Sequence, residues 1–499
     1  MTDNSIIATL IIHLLAALLQ LAFWRKTVTQ RYISVTAASL SLISAATLFY
    51  KVYSGGILIM NAANWRAPFG IVFVADLFSS SLVLITAIAS LAVAVFSAAG
   101  INRARMLYGY FPIFHFLVMG LNGAFLTGDI FNLYVWFEVI IIASFVLMTL
   151  GGRKAQLEGA VKYMALNILA SMFFLTGIGV LYGITGSLNM ADLALRIPKV
   201  ENQSLINLTS MFFLLGFGIK SAVFPLYFWL PSSYHTPPSA VAATFGGLLT
   251  KVGIYALFRV FTLLFTPDDT LKNLLVVIAV FTIVTGMSGA LIKDNIRRLF
   301  SSLIVCHIGF MVGGLGLYSK VAMMGAVFYL FHDILVKTNM FLIAGLIRQL
   351  RGSMNMKLLG GDLRTIPHHI PGDRPGAVFP GGIPPLSGFW PKLYLIEAGF
   401  DAKKFLLVGA IIAGSFVTLY VIARMWSEVF WKNPSGDERI QDTFAALPKY
   451  KKTFLVLPVV LLCFCSLVIG LDAQFIIEVV DRITDEMINT APYIKAVLG

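Results

Sequence analysis

The sequence is poor in charged residues, which make up 12% of its 499 positions, about half the share found in an ordinary soluble domain. Its three cysteines (Cys306, Cys463 and Cys465) lie in apolar stretches without metal-ligand spacing, which is typical of packing residues. It has no phosphate-binding glycine loop, no HExxH, no CxxC and no nucleophile elbow. These absences exclude a disordered chain, a fibrous repeat and an ordinary cytosolic enzyme, and they predict neither a metal nor a cofactor.

Hydrophobic residues are abundant, at 58% of the chain. A helix needs about 20 mostly apolar residues to cross a bilayer, where it satisfies all of its own backbone hydrogen bonds. Segments that meet this condition lie at 5–24, 31–53, 70–99, 107–127, 129–150, 161–184, 204–230, 239–265, 272–292, 299–317, 321–347, 376–399, 404–431 and 453–471. The sequence therefore predicts an all-α polytopic membrane protein of about 14 transmembrane helices, with the lipid bilayer around it.

The net charge of +13 is explained by membrane topology rather than by nucleic-acid binding. When the N-terminus is placed outside, the cytoplasmic connections hold roughly twice as many Lys and Arg residues as the opposite connections. This asymmetry predicts that both termini lie outside the cell. No nucleic-acid partner is predicted.

Four lysines lie well inside apolar stretches: Lys220, Lys251, Lys337 and Lys392. Placing a charged side chain at mid-membrane costs about 2.5–3.5 kcal/mol even on the most lenient scale. Four such costs together are comparable to a whole folding free energy, and structural needs alone seldom justify them. The four lysines are therefore predicted to be functional.

Glu138 is the acid that matches these lysines, because it lies in the apolar run FNLYVWFEVIIIASFVLM. Opposite a lysine, Glu138 would form a titratable pair, the alternative being a purely structural ion pair between two helices. Asp76, Asp129 and Asp333 lie nearer to segment ends and carry less weight. Of these three, Asp76 is kept as a lower-ranking candidate.

Histidines complete the polar set, because histidine is the side chain best suited to relay protons near neutral pH. His332 precedes Lys337 by five residues, a helical rotation that places the two on different faces. They could still pass a proton along an axis between two partners. His307 and His235 are lower-ranking candidates, and the alternative for each histidine is a hydrogen-bonded core or loop residue.

Prolines interrupt the seventh and twelfth segments, in KSAVFPLYFWLP and GGIPPLSGFWPK. Broken helices that each carry a lysine, five segments apart, indicate a transporter built from two inverted five-helix repeats. The predicted domains are the first three helices at 1–106, the first antiporter-like repeat at 107–265, the inverted second repeat at 272–431, and a loop, helix 14 and tail at 432–499.

The linked motifs carry a family resemblance. Lys220 with FPLYFWLP, then HTPPSAVAA, Lys251 and IPPLSGFWPK resemble the antiporter-like subunits of Mrp antiporters and respiratory complex I. The resemblance extends over about 76–431, and the chain is most similar to the D-type subunits of the multi-subunit Na+/H+ antiporter.

The resemblance implies a role for each candidate residue. Glu138 would match the fifth-helix glutamate that pairs with Lys220, and Lys251 would match the bridging lysine of the eighth helix. His332 would be a central-axis histidine, and Lys337 fits the second basic position on the same helix. Lys392 would be the terminal lysine of a hydrated polar axis.

The same resemblance implies a function and a set of partners. The expected function is proton translocation coupled to Na+ export, without enzymatic activity, in the bacterial cell (plasma) membrane. The implied partners are antiporter subunits of the A, B, C, E, F and G types, with H+ and Na+ as the transported ions.

Two regions are not explained by the family resemblance, namely the segment before the twelfth helix and the C-terminal tail. The segment 365–382, which contains Asp373 and Arg374, is more polar than the half-helix that the family has before its twelfth helix. The tail from Asp472 has acids and apolar residues at helical spacing, which predicts a surface helix that contacts a partner.

Two alternative functions remain open at this point. The chain could be a proton-pumping subunit of a complex I-type NADH:quinone or related redox complex, which copurification with iron–sulfur or quinone-reducing subunits would favour. It could also be a scaffold that only anchors catalytic partners, in which case the intramembrane lysines should tolerate replacement by Met or Leu.

Overall fold

The computed structural model describes residues 3–359, 387–432 and 447–499. Within these ranges the longer helices are α1 Ser5–Ala22, α2 Thr27–Gly55, α3 Leu77–Gly100, α4 Arg103–Leu107, α5 Tyr110–Leu126, α6 Ile130–Thr149, α7 Lys154–Thr185, α8 Met190–Arg196, α9 Gln203–Ser221 and α10 Trp229–Ser233. They continue with α11 Ser239–Leu263, α12 Asp269–Ile292, α13 Ile296–Leu317, α14 Lys320–Arg351, α15 Phe389–Asp401, α16 Phe405–Trp431, α17 Lys449–Leu471, α18 Ala473–Ile488 and α19 Ala491–Leu498.

Twelve helices of the described residues are long and apolar enough to cross a membrane, and α5 is a shorter apolar helix. The prediction of a polytopic helical membrane protein is confirmed. α15 coincides with the end of the predicted twelfth segment, whose first part lies outside the described residues. The arrangement as two inverted repeats stays a prediction from the sequence.

A short β-hairpin precedes α3, where the sequence predicts the start of a helix. Its strands, β1 Leu58–Asn61 and β2 Val72–Ala75, pair antiparallel. Apolar composition alone does not distinguish a short buried strand from the first turn of a helix, so the predicted third segment starts too early, at 70. The helix itself begins after Asp76, whose carboxylate accepts a hydrogen bond of 2.8 Å from the Ser79 backbone N–H.

The predicted interruption of the seventh segment is present. α9 ends at Ser221, Ala222 takes up a left-handed conformation (φ 59°), and helical structure resumes at Trp229. Pro225 lies inside this gap, as expected for a residue that cannot donate to the helical ladder. In the twelfth segment, Pro384 and Pro385 lie outside the described residues.

The helix that follows this break contains a wider turn. In α11, Phe245–Leu249 is a π-helical turn, which inserts one extra residue into the α-helical path. α11 and α13 are buried along their whole apolar windows, and α14 is buried along most of its own. These three helices form the centre of the molecule.

The N-terminal helices are joined by a buried polar chain. His13 Nδ1 of α1 lies 2.8 Å from His115 Nδ1 of α5. The outer ring nitrogens reach Ser41 Oγ and Ser34 Oγ of α2, each at 3.0 Å. All four side chains are fully buried, so the chain holds α1, α2 and α5 together without exposing a polar atom.

Candidate functional site

The central polar residues lie at the middle of their helices. Lys251 is the central residue of α11, and His307 and Asp333 lie close to the midpoints of α13 and α14. Because these helices are each long enough to span a bilayer, their midpoints lie near its midplane. The three side chains therefore meet at the depth where charge is most costly.

Asp333 is the residue of this group that contacts all of the others. Its Oδ2 lies 2.8 Å from Lys251 Nζ, and its Oδ1 lies 2.9 Å from His307 Nδ1. Asp333 Oδ1 also lies 3.9 Å from Lys337 Nζ, one helical turn further along α14. The side chains of Asp333, Lys251 and Lys337 have no exposed surface. One carboxylate thus stands between two amines and an imidazole drawn from three helices.

The two lysines of this group are held differently. Lys251 Nζ also donates to the carbonyl of Gly246, at 2.7 Å, within the π-helical turn of the same helix. Lys337 Nζ is buried and has no hydrogen-bond partner among the described residues. One lysine is therefore fixed between two acceptors, while the other lies within reach of the same carboxylate without a bond to it.

Lys220 lies near the end of α9 and is buried, with 4% of its surface exposed. Its Nζ donates to Ser171 Oγ at 3.2 Å and lies 4.7 Å from the ring centroid of Phe137. In the described residues no ion pair joins Lys220 to Glu138, and Glu138 Oε1 is buried without a hydrogen-bond partner. Lys220 thus contacts the residue that precedes Glu138, and the pairing of Glu138 with Lys220 that the resemblance implies stays a prediction.

A small cavity adjoins Lys220. It is lined by Phe137, Ile140, Ile141, Tyr163, Asn167, Lys220, Trp229, Tyr234 and Leu249. Leu249 belongs to the π-helical turn of α11, two residues before Lys251. The cavity therefore extends from the Lys220 ammonium to the helix that carries the central lysine.

His332 immediately precedes Asp333 on α14, and Lys392 lies on the next described helix, α15. His332 Nδ1 lies 2.7 Å from Ser387 Oγ, which lies 2.9 Å from Ser466 Oγ of α17. Lys392 of α15 is buried, and its Nζ lies 5.9 Å from the ring centroid of Phe310. As the helical rotation predicted, His332 points to other partners than Lys337 does.

The lower-ranking candidates fall into three environments. His307 belongs to the central group and its Nε2 lies 3.3 Å from Thr418 Oγ1. His235 lies in the connection before α11, where its Nδ1 is 2.9 Å from the Pro231 carbonyl. Asp76 is buried beneath the C-terminal helices, paired with Arg259.

Asp333 and the two serines are missed by sequence reasoning. Sequence reasoning gives Asp333 less weight as a residue nearer a segment end, but Asp333 lies near the centre of both the predicted segment 321–347 and α14. The signal is present in the spacing, because Asp333 and Lys337 are four residues apart and share one helix face. Ser387 and Ser466 carry no comparable signal, since a serine in an apolar segment is common.

The donor set determines which chemistry the site can perform. Amines, imidazoles, hydroxyls and carboxylates can exchange protons, while no group of three or more His, Cys, Asp or Glu side chains in the described part of the chain could hold a metal. The arrangement is suited to moving protons between buried groups.

Comparison with known proteins agrees with this geometry. A family described as "NADH:quinone oxidoreductase/Mrp antiporter, TM" matches residues 127–418. The chain is 38% identical to the D-type subunit of the Na(+)/H(+) antiporter of Alkalihalophilus pseudofirmus over 497 residues, covering 99% of each chain. It is 36% identical to the corresponding D-type antiporter subunit of Bacillus subtilis over 498 residues, again covering 99% of each.

Solved structures give the same relationship. A chain of the Mrp complex from Dietzia sp. has a TM-score of 0.89 and 27% identity, covering all of both chains. A chain of the membrane-bound sulfane sulfur reductase, an archaeal respiratory membrane complex, has a TM-score of 0.88 and 25% identity, covering 99% of this chain and 100% of that one.

The chain therefore belongs to the family of membrane subunits shared by NADH:quinone oxidoreductases and Mrp antiporters. Within that family it is a homologue, over its full length, of the D-type subunits of Na+/H+ antiporters.

Proposed function

We propose that this chain is the proton-translocating subunit of a multi-subunit Na+/H+ antiporter in the bacterial plasma membrane. The observation that carries the proposal is the buried Asp333 carboxylate, ion-paired with Lys251, hydrogen-bonded to His307 and 3.9 Å from Lys337. The full-length similarity to D-type antiporter subunits supports the coupling of proton movement to Na+.

Charge balance explains how this group moves a proton. One carboxylate balances one ammonium, and a second ammonium buried without a bond costs several kcal/mol. A shift of Asp333 from Lys251 toward Lys337 exchanges the stabilised lysine and releases the other to give up its proton. Two arrangements of one carboxylate thus define two proton-loading states.

The flanking residues extend this exchange into an axis. On one side, Lys220 lines the cavity that reaches Leu249, two residues before the central lysine in the chain, and Glu138 follows Phe137 of the same lining. On the other side, His332 and Lys392 are buried on α14 and α15. A proton that passes from Lys220 to Lys251 would need water to bridge the cavity and the central lysine.

Partners and orientation belong to the same proposal. The chain would assemble with antiporter subunits of the A, B, C, E, F and G types, and the positive-inside asymmetry supports placing both termini outside. The 36–38% identity to antiporter subunits exceeds the 25% identity to the respiratory reductase chain, which favours antiport over redox-driven pumping.

The test is antiport by the complete complex in everted membrane vesicles of a host that lacks other Na+/H+ antiporters. A respiration-driven pH gradient is established, and its dissipation on Na+ addition is followed by dye fluorescence. Lys251→Ala and Lys220→Ala are expected to lose at least tenfold in rate, since each removes a buried proton carrier. Lys199→Ala, at an exposed position in the short 3₁₀ helix Ile197–Lys199, is the matched control and should keep the wild-type rate.

Wild-type rates in both buried variants, with normal assembly of the complex, would overturn the proposal. Tolerance of Met at all four intramembrane lysines would instead favour the scaffold alternative. Copurification with quinone-reducing subunits in place of antiporter subunits would favour the redox complex.

A further inference from the structure

A second buried ion pair is formed by Arg259 of α11, eight residues beyond Lys251, and Asp76. Arg259 Nη2 contacts the Asp76 carboxylate, which also caps α3. Both side chains are more than 90% buried. The phenol of Tyr255 accepts from Arg259 Nε at 3.3 Å and donates to the Phe125 carbonyl at 2.7 Å. Lys251, Tyr255 and Arg259 are spaced by four residues each and so share one face of α11.

The C-terminal helices close over this pair. Tyr493 of α19 is buried, and its ring centroid lies 5.2 Å from the Arg259 guanidinium carbon. At the exposed edge of these C-terminal helices, which we call the rim, Lys320 of α14 pairs with Asp481 and Asp485 of α18 at 2.9 and 2.8 Å. The tail predicted to contact a partner therefore docks on this chain's own helices.

The rim contacts extend to α2. Arg482 Nη2 donates to the Tyr53 carbonyl at 3.0 Å, and its guanidinium lies 4.6 Å from the Tyr53 ring centroid. These exposed contacts are individually weak. The strength of docking is therefore sensitive to the groups on the buried side of α18.

Glu486 is the charged group on that buried side. Its Oε2 is buried and has no hydrogen-bond partner among the described residues. Burial, together with the nearby Asp76 carboxylate, raises the pKa of Glu486 to about 7, although a hydrogen bond from the Leu77 backbone N–H and the charges of Arg259 and Arg482 act in the opposite direction. Arg259 already balances Asp76, and Arg482 is exposed, so the buried cluster of Asp76, Arg259 and Glu486 is neutral only when Glu486 carries a proton.

We propose that Glu486 is a proton-binding site exchanging with the aqueous phase, whose occupancy determines how tightly α18 and α19 close over the Asp76–Arg259 pair. With the proton bound, a neutral cluster is covered and the helices dock. When the proton leaves, an uncompensated carboxylate faces Asp76 and docking weakens. This inference does not depend on the proposed antiport, because it concerns the closure of the chain on itself.

The direction of the pH effect follows from linkage. In docked helices the pKa of Glu486 is about 7, against an ordinary value of 4.5. A carboxyl whose pKa is raised by docking stabilises the docked state in acid, where both states are protonated. That contribution declines as the pH rises from 4.5 through about 7, and it is absent in more alkaline solution.

Hydrogen–deuterium exchange of the intact complex tests the proposal. Backbone protection of residues 473–498 is measured at pH 5.5 and 8.0 and corrected for the chemical exchange rate. In the wild type, protection is expected to fall on the order of tenfold at the higher pH. Glu486→Gln, which mimics the protonated carboxyl, should abolish this difference.

Glu478→Gln is the matched control, because Glu478 lies on the same helix but is exposed and accepts from Gln474 at 2.9 Å. It should retain the wild-type pH difference. Equal protection at both pH values in the wild type overturns the proposal, even if Glu486→Gln does not assemble. A wild-type difference that persists in Glu486→Gln overturns it as well.

Discussion

Asp333 of α14 reaches Lys251 of α11 at 2.8 Å, and neither side chain has any exposed surface. The pair joins two central helices at mid-depth, where the loss of one partner leaves the other charge buried. Breaking a buried pair by removing one partner is therefore far more damaging than breaking a pair at the surface. Substitutions that break this pair should therefore change stability measurably, whereas substitutions in surface pairs should not.

Asp333→Asn should abolish Na+-dependent proton uptake and destabilise the protein by about 3 kcal/mol, because both lysines lose their carboxylate. Vesicle antiport and thermal denaturation of the purified complex measure the two effects. Asp192→Asn, which removes a partly exposed i,i+4 pair with Arg196, should change neither measurably. Antiport at the wild-type rate in Asp333→Asn would show that the central carboxylate is dispensable.

Lys337→Met should separate stability from function. Its ammonium is buried without a hydrogen bond, so an isosteric apolar side chain is expected to leave the melting temperature unchanged or raise it. Antiport is nevertheless expected to be lost, because Asp333 no longer has an alternative amine. Lys251→Met is the comparison, since it removes an ammonium that is ion-paired with Asp333 and hydrogen-bonded to the Gly246 carbonyl, and it should lower the melting temperature. A similar loss of stability in both variants would contradict the prediction.

His235→Gln should leave the pH profile of antiport unchanged. Burial, together with the adjacent Arg298 and Arg297, lowers the pKa of His235 to about 4. The imidazole is therefore neutral throughout the range from about pH 6 to 9, where glutamine replaces it without loss of charge. Antiport rates measured across that range check the prediction, and a displaced optimum would assign His235 a titrating role.

The paired histidines of the N-terminal helices predict non-additive effects on stability. His13→Leu or His115→Leu leaves the remaining Nδ1 buried without its partner and should cost about 1–3 kcal/mol. The double replacement removes both polar atoms and should cost less than the sum of the single replacements. Thermal denaturation of the three variants measures the coupling. Strict additivity would mean that the 2.8 Å contact contributes nothing.

The membrane helices can be predicted from sequence because lipid imposes a simple requirement for length and apolarity. The break after Ser221 is equally accessible, since Pro225 removes a backbone donor from the ladder. The hairpin before Asp76 cannot be predicted from sequence, because the four residues of β2 are all apolar and could equally well continue a helix.

The buried lysines can be identified from the sequence because a charged side chain at mid-membrane is costly, whereas their partners cannot be identified in this way. The sequence favours Glu138 because it is isolated in an apolar run, yet the carboxylate that bonds Lys251 is Asp333, on a different helix. Which acid meets which lysine depends on helix packing, and hydropathy carries no information about it. Local spacing on α14 is the only available sequence signal.

The π-helical turn Phe245–Leu249 has a consequence for how α11 tolerates change in length. Because the turn holds one residue more than ordinary winding, deleting one residue there would restore the α-helical path and leave everything that follows facing approximately as before. Winding the same residues as ordinary α-helix, without a deletion, would instead rotate the downstream part by about 100°. Lys251, Tyr255 and Arg259 would then turn away from Asp333 and Asp76 together. The facing of the entire polar stripe thus depends on the extra residue being held in the wide turn.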